Sequence, residues 1–278
     1  MSGSLDSFPA TRVASAALAL SVLAIGAAAP ASAQSPRGEI QRGFELIDDF
    51  VVVVNGEDSP GARIYRSSQT SAILIMPEQV TDPPVLVWPR QRVVESLNFM
   101  KVQRLAGGFL EVKTDPVIAT HDPFEVVGTN VVFKVADNEL RLKPKPPLIG
   151  LYDADAMLEK SAVYARRAEA YEPSQEVLDR LGQTSSNVRV RIFFGTWCPA
   201  CGQMVPRILN VAQRLEDTGL SFEFYGLPRG FKGDTEAAKY GVHSVPTGVI
   251  FVEEREVGRI EGNDWRQPEA ALWNLIGS

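Results

Sequence analysis

Apolar residues between positions 38 and 150 come in short runs broken by turn chemistry. Residues 50–54 (FVVVV), 62–65, 72–76 and 85–88 are short apolar or β-branched runs. Asn55-Gly56, Ser59-Pro60-Gly61 and Asp82-Pro83-Pro84 separate them, and all three are turn signals. Two hairpins are expected, one joining 100–105 to 109–113 across Ala106-Gly107-Gly108 and one joining 131–135 to 139–142 across Ala136-Asp137-Asn138. Strands this short, at this spacing, predict a strand-rich domain over 38–150, a β-sandwich or barrel. No motif of known chemistry lies in it, and His121, beside Asp122 and Pro123, reads as a turn residue.

Lys143-Pro144-Lys145-Pro146-Pro147 is stiff and polar, as a linker would be. Beyond it the period lengthens. Asp153 is placed to cap a helix carrying Met157, Leu158, Ala162, Ala165 and Ala168 on one side, interrupted by Pro173. Ser174 is placed to cap a second helix through Val177, Leu178 and Leu181, ended by Gly182. Residues 151–187 therefore read as a helical connector. From 188 to 278 the pattern alternates: strand 188–194, helix 199–215 bent near Pro206, strand 222–225, helix 235–240, a hairpin of 247–252 with 256–260, and a helix 268–276. Alternation of this kind predicts an α/β layer fold.

The chain has 278 residues, 28 Lys and Arg against 34 Asp and Glu, and a formal net charge of −6. That balance lacks the basic footprint of a non-specific nucleic-acid binder, so no nucleic-acid partner is expected. Residues 13–29 are small or apolar without a charge, and Pro30 and Ala31-Ser32-Ala33 follow. This is the pattern of a signal peptide over 1–33 with cleavage after Ala33, which implies export to the periplasm. The alternative is an uncleaved N-terminal membrane anchor. In an exported compartment disulfide chemistry is accessible.

The chain has two cysteines, Cys198 and Cys201, with Pro199 and Ala200 between them at a strand-to-helix junction. The unpaired N–H groups and dipole at a helix start favour negative charge, so a thiolate at Cys198 is stabilised there. One turn on, Cys201 is within reach of that sulfur and is shielded by its place inside the helix. Cys198 then attacks a partner disulfide and Cys201 resolves the mixed disulfide. An inert buried bridge is the plainer reading, but so small a ring constrains little unfolded chain.

Residues 193–201 (FFGTWCPAC), with Val245-Pro246-Thr247 whose proline stands 45 residues beyond Cys201, resemble the active-site strand and cis-proline loop of the thioredoxin superfamily. Export and the Trp-Cys-Pro-Ala-Cys sequence look most like its periplasmic TlpA-like branch. The resemblance covers 188–278 and implies a thioredoxin-like α/β domain after the strand-rich one. It implies a thiol:disulfide oxidoreductase with a redox-active Cys198–Cys201 disulfide and no dissociable cofactor. It further implies that Trp197, Val245 and Pro246 bind substrate and that the Val245–Pro246 bond is cis. The partners implied are exported protein thiols and disulfides and a membrane or soluble redox partner. Two family features are missing: Ile192 stands six residues before Cys198, where thioredoxin has a buried Asp, and Met204 stands three after Cys201, where several TlpA-like reductants have Glu. Glu223 on the strand 222–225 is the candidate substitute proton acceptor, against its reading as an ordinary solvated side chain.

Three alternatives stay open. One is a non-catalytic assembly or binding protein on this scaffold. Another is a copper carrier, with His243 joining the two thiolates; otherwise no metal is expected. The third is a dimeric disulfide isomerase, in which the strand-rich domain makes a homodimer. The direction of electron flow is not fixed by sequence.

Overall fold

The computed structural model describes residues 40–79, 81–114, 122–184, 186–216 and 218–277. The segment expected as a signal peptide, and His121, lie outside the described residues. The first thirteen strands are β1 (Ile40–Ile47), β2 (Phe50–Val54), β3 (Glu57–Asp58), β4 (Arg63–Ser67), β5 (Ile73–Met76), β6 (Val85–Trp88), β7 (Val93–Ser96), β8 (Val102–Arg104), β9 (Leu110–Lys113), β10 (Asp122–Pro123), β11 (Glu125–Val127), β12 (Asn130–Val135) and β13 (Asn138–Pro144). They form two antiparallel sheets, one ordered β10-β7-β6-β5-β4-β1-β9-β8 and one ordered β11-β12-β13-β2-β3.

The unbroken apolar runs of β5 and β6 are explained by burial on both faces. Ile73, Ile75, Val85 and Val87 share one core with Phe133, Val135 and Leu142 of the smaller sheet. Leu74, Leu86 and Trp88 point the other way, into a second core with Phe44, Leu110 and Val112. Successive side chains alternate faces, so one strand feeds both cores. The strand-rich part is thus a sandwich of two sheets, the larger curling over a core of its own. Strand β1 escaped the sequence reading because Gly43, at φ 73°, sits in a register shift between Gln41 and Phe44 and breaks the alternation.

The C-terminal part begins earlier than expected. Strand β14 (Gly150–Tyr152) pairs antiparallel with β16 (Leu220–Gly226), and the sheet runs β14-β16-β15-β17-β18. Here β15 is Val188–Phe194, β17 is Thr247–Val252 and β18 is Arg255–Ile260. Strand β15 is parallel to β16 and antiparallel to β17. Between β14 and β15 lie α1 (Ala154–Lys160), α2 (Ala162–Glu169) and α3 (Gln175–Gly182). Met157, Tyr164, Ala168, Leu178 and Leu181 from these helices share a core with β15 and α4 (Pro199–Arg214). Residues 151–187 are therefore part of the C-terminal packing rather than a free-standing connector. The single helix expected after Asp153 is two, because Ser161 is extended (φ −134°, ψ 101°); it ends α1 and its side chain accepts from Tyr164 N.

The sheet has two covered faces. Val190, Ile192 and Phe194 face the α4 side, whereas Phe193 packs with Tyr225, Val249 and Phe251 on the side of α5 (Thr235–Lys239). Helix α6 (Pro268–Ile276) closes the α4 side through Leu272.

Helix α2 ties the two parts together. Arg166 donates to the carbonyl of Gly107 and lies 6.0 Å over the Phe109 ring, while Arg167 is 3.9 Å from Glu45 of β1. Lys145, in the stretch read as a linker, donates to Asp48 at 2.6 Å and to the Lys160 carbonyl at 2.8 Å. Arg167 also reaches inward, to the Gly202 carbonyl at 2.7 Å. That carbonyl lacks its usual helical donor, because the residue four on is Pro206, which has no N–H. The guanidinium replaces the missing bond, so α4 carries a buried proline in mid-helix. Arg167→Met is expected to destabilise the fold by about 1–3 kcal/mol in urea denaturation. In an Arg167→Met/Pro206→Ala double variant the cost of losing Arg167 is expected to shrink, because the new N–H satisfies Gly202.

Candidate active site

Strand β15 ends at Phe194, and Gly195-Thr196-Trp197 carries the chain to the start of α4. Gly195 is required there: a Cβ on it would stand 2.5 Å from the Trp197 ring. Trp197 is held in place by its indole N–H, which donates to the Leu227 carbonyl at 2.8 Å. Cys198 is the N-cap of α4, with Pro199 in the first helical position. Its sulfur accepts from the Cys201 N–H at 3.3 Å, so the thiol takes the role usually filled by Ser or Asp. The same sulfur lies 3.5 Å from the Val245 carbonyl and donates its S–H to it.

The Val245–Pro246 bond is cis. Its loop is held from below: buried Trp265 donates to the Pro246 carbonyl at 3.1 Å, and Thr247 Oγ1 donates to the Ser244 carbonyl at 2.9 Å. Of the residues named from sequence, Cys198, Cys201, Trp197, Val245 and Pro246 are brought together around one sulfur.

Both thiols are free. Cys198 is 9% exposed and Cys201 is 0% exposed. Burial pushes the Cys201 thiol well up, and the neighbouring Cys198 adds to the rise; only backbone hydrogen bonds act the other way. Ile192 fills the place of an acid with a fully buried alkyl side chain, and Met204 packs against the same core.

Glu223 does not take up that role. It is paired in register with Arg191, on the α5 face of the sheet. Its carboxylate accepts from Arg191 at 2.6 Å and lies 3.7 Å from Arg189. Arg191 in turn donates to Glu236 and to Tyr240. The sheet separates this network from Cys201, because side chains one residue apart on β15 and β16 face opposite ways. His243 is exposed, and no three His, Cys, Asp or Glu side chains among the described residues are grouped to share a metal ion.

The sequence reading missed Tyr164. Its ring stands edge-on to Phe194 at 6.3 Å, and it is 4% exposed in the core that holds both cysteines. Its hydroxyl has no hydrogen-bond partner. Burial keeps its phenol protonated far above the usual range, and the two cysteines reinforce this.

Residues 174–276 match the Thioredoxin family model. This part of the chain has a thioredoxin-like fold. Solved structures resemble it at low identity. A protein of unknown function from Pseudomonas aeruginosa is 14% identical over 46% of this chain and 93% of its own, with a TM-score of 0.37. A thioredoxin variant from Halobacterium salinarum is 24% identical over 38% and 88%, with a TM-score of 0.26. The Fasciola hepatica thioredoxin is 23% identical over 35% and 90%, with a TM-score of 0.27. No curated protein matches the chain.

Two outcomes are expected of the reduced protein. Brief iodoacetamide treatment at neutral pH, mapped by mass spectrometry, modifies Cys198 and spares Cys201. Cys201 also makes stability pH-dependent. Its folded value lies above its unfolded one, so its contribution is complete below the unfolded value of about 8.5 and is lost as pH rises beyond it. Urea denaturation is expected to show about 1 kcal/mol lost between pH 8.5 and pH 9.5 through this group. Cys201→Ala removes that component of the slope.

Proposed function

We propose that the protein is an exported thiol:disulfide oxidoreductase of the TlpA-like kind, with Cys198 as nucleophile and Cys201 as resolving thiol. The observation that carries this reading is the Cys198 sulfur itself. It caps α4, receives the Cys201 amide, and lies beside the carbonyl of a cis-proline loop. A thiolate formed there keeps a charge-assisted bond from the Cys201 amide.

In the exchange, the Cys198 thiolate attacks one sulfur of a partner disulfide. The partner bond breaks, a Cys198–partner bond forms, and the other partner sulfur leaves as a thiolate. Cys201, once deprotonated, attacks the Cys198 sulfur and releases the partner as a dithiol, leaving the Cys198–Cys201 disulfide. Two electrons pass to the partner, and a membrane or soluble redox protein restores the pair. Val245 and Pro246 offer the backbone edge along which a partner strand lies, and Trp197 shapes the surface beside it. The segment 1–33 serves as the export signal and the periplasm as the compartment. The strand-rich part carries no chemistry of its own in this reading.

Cys198→Ser is expected to abolish disulfide reduction in a turbidity assay. Cys201→Ser is expected to accumulate mixed disulfides, seen as reductant-sensitive bands when the full chain is expressed with its exported fraction; failure to form any would refute the reading. The equilibrium potential of the pair then gives the direction, near about −270 mV for a reductant and about −120 mV for an oxidant.

A further inference from the structure

A cleft of about 710 Å³ opens over Cys198, between the strand-rich part and the thioredoxin-like part. One wall is the end of β1 with Asp48, Asp49 and Arg66 of β4; the other is α2 and the stretch around Lys145. The floor is Thr196, Trp197, Cys198 and Pro199 at the start of α4. The volume is that of a small-molecule or short-peptide site.

Its charge runs against that of the chain, which carries a formal −6. Both carboxylates of the cleft are engaged: Asp48 accepts from Lys145 at 2.6 Å and Asp49 pairs with Arg66 at 2.8 Å. With Arg167 engaged by Glu45 and the Gly202 carbonyl, Lys160 and Arg229 are the cations in excess. Arg229 lies 5.4 Å over the Trp197 ring, which holds its charge beside the sulfur. A cleft lined by one sign of charge concentrates ligands of the other. Tyr164 also lines the cleft, with its hydroxyl oxygen buried.

We propose that this cleft is a substrate site, and that the substrate is a short peptide disulfide flanked by carboxylates. The proposal rests on the exchange reading and names its substrate class. The carboxylates meet Lys160 and Arg229, and the disulfide reaches the Cys198 sulfur. The Cys198 thiolate attacks the peptide sulfur, the peptide's S–S bond breaks, and the departing thiolate takes a proton from water.

The test uses the reduced full chain and synthetic peptides of equal length. Each carries one Cys as its 2-thiopyridyl mixed disulfide, flanked by Glu in one peptide and by Lys in the other. Thiopyridone release under single-turnover conditions gives the rate. The Glu peptide is expected to react about tenfold faster at low salt, with the preference shrinking as salt rises. In Lys160→Gln/Arg229→Gln the ratio of the two rates is expected to fall toward one. Equal rates for the two peptides in the unaltered protein overturn the cleft assignment and leave exchange at Cys198 standing. Absence of thiopyridone release from either peptide overturns the exchange reading itself.

Discussion

The sulfur of Cys198 sits where a helix ordinarily keeps a serine or aspartate oxygen. That substitution organises the site. The amides of the first turn of α4 need an acceptor, and Cys201 N–H finds it in the sulfur at 3.3 Å. Strand β15 brings the chain to the sheet edge, Gly195 leaves room for the Trp197 ring, and Pro199 begins the helix without wasting a donor. On the other side, Trp265 and Thr247 fix the loop that presents the Val245 carbonyl. The sulfur is thus fixed by backbone groups from two sides, and no titratable side chain is needed to orient it.

Cys201 illustrates what that arrangement leaves unsolved. It is fully buried, and burial favours its protonated form. A carboxylate at position 192 would sit on the α4 face of β15, and Ile192 occupies that place as core. The charges on this sheet lie on the opposite face, where Arg189 and Arg191 engage Glu223, Glu236 and Glu254. In the exchange reading the Cys201 proton leaves by way of solvent or substrate, and the resolving step gains speed with rising pH.

Much of this was legible in the sequence because the relevant signals are local. Strands 50–54, 85–88, 188–194 and 247–252 and helix 268–276 follow from β-branched runs and from Pro at a helix start, and they stand where expected. The Cys pair and Val245-Pro246 were legible through spacing. What was not legible depends on three dimensions. Strand β14 shows no more than Gly-Leu-Tyr and is a strand only because β16 offers it an edge. The face on which Glu223 lies is set by register with Arg191, which no composition reveals. Ser161 looks like a residue within one helix until its extended backbone makes it the end of one and the cap of the next. Tyr164 carries no local signal of its place beside the cysteines, and its idle hydroxyl appears only once its neighbours are in place.

Helix α2 joins these threads. A single turn of it carries Tyr164 toward the cysteines, Arg166 toward the strand-rich sandwich and Arg167 toward both Glu45 and the carbonyl that Pro206 leaves without a donor. Residues at neighbouring helical positions project in directions about 100° apart, so three consecutive needs are met by nearby side chains. Removing the proline's orphaned carbonyl from Arg167's reach would loosen α4, and loosening α2 would move the wall that stands over Cys198. The strand-rich part therefore does not need chemistry to influence reaction at the sulfur. In the proposed exchange it acts by narrowing the approach, while the excess positive charge comes from Lys160 and Arg229 on the other side of the cleft.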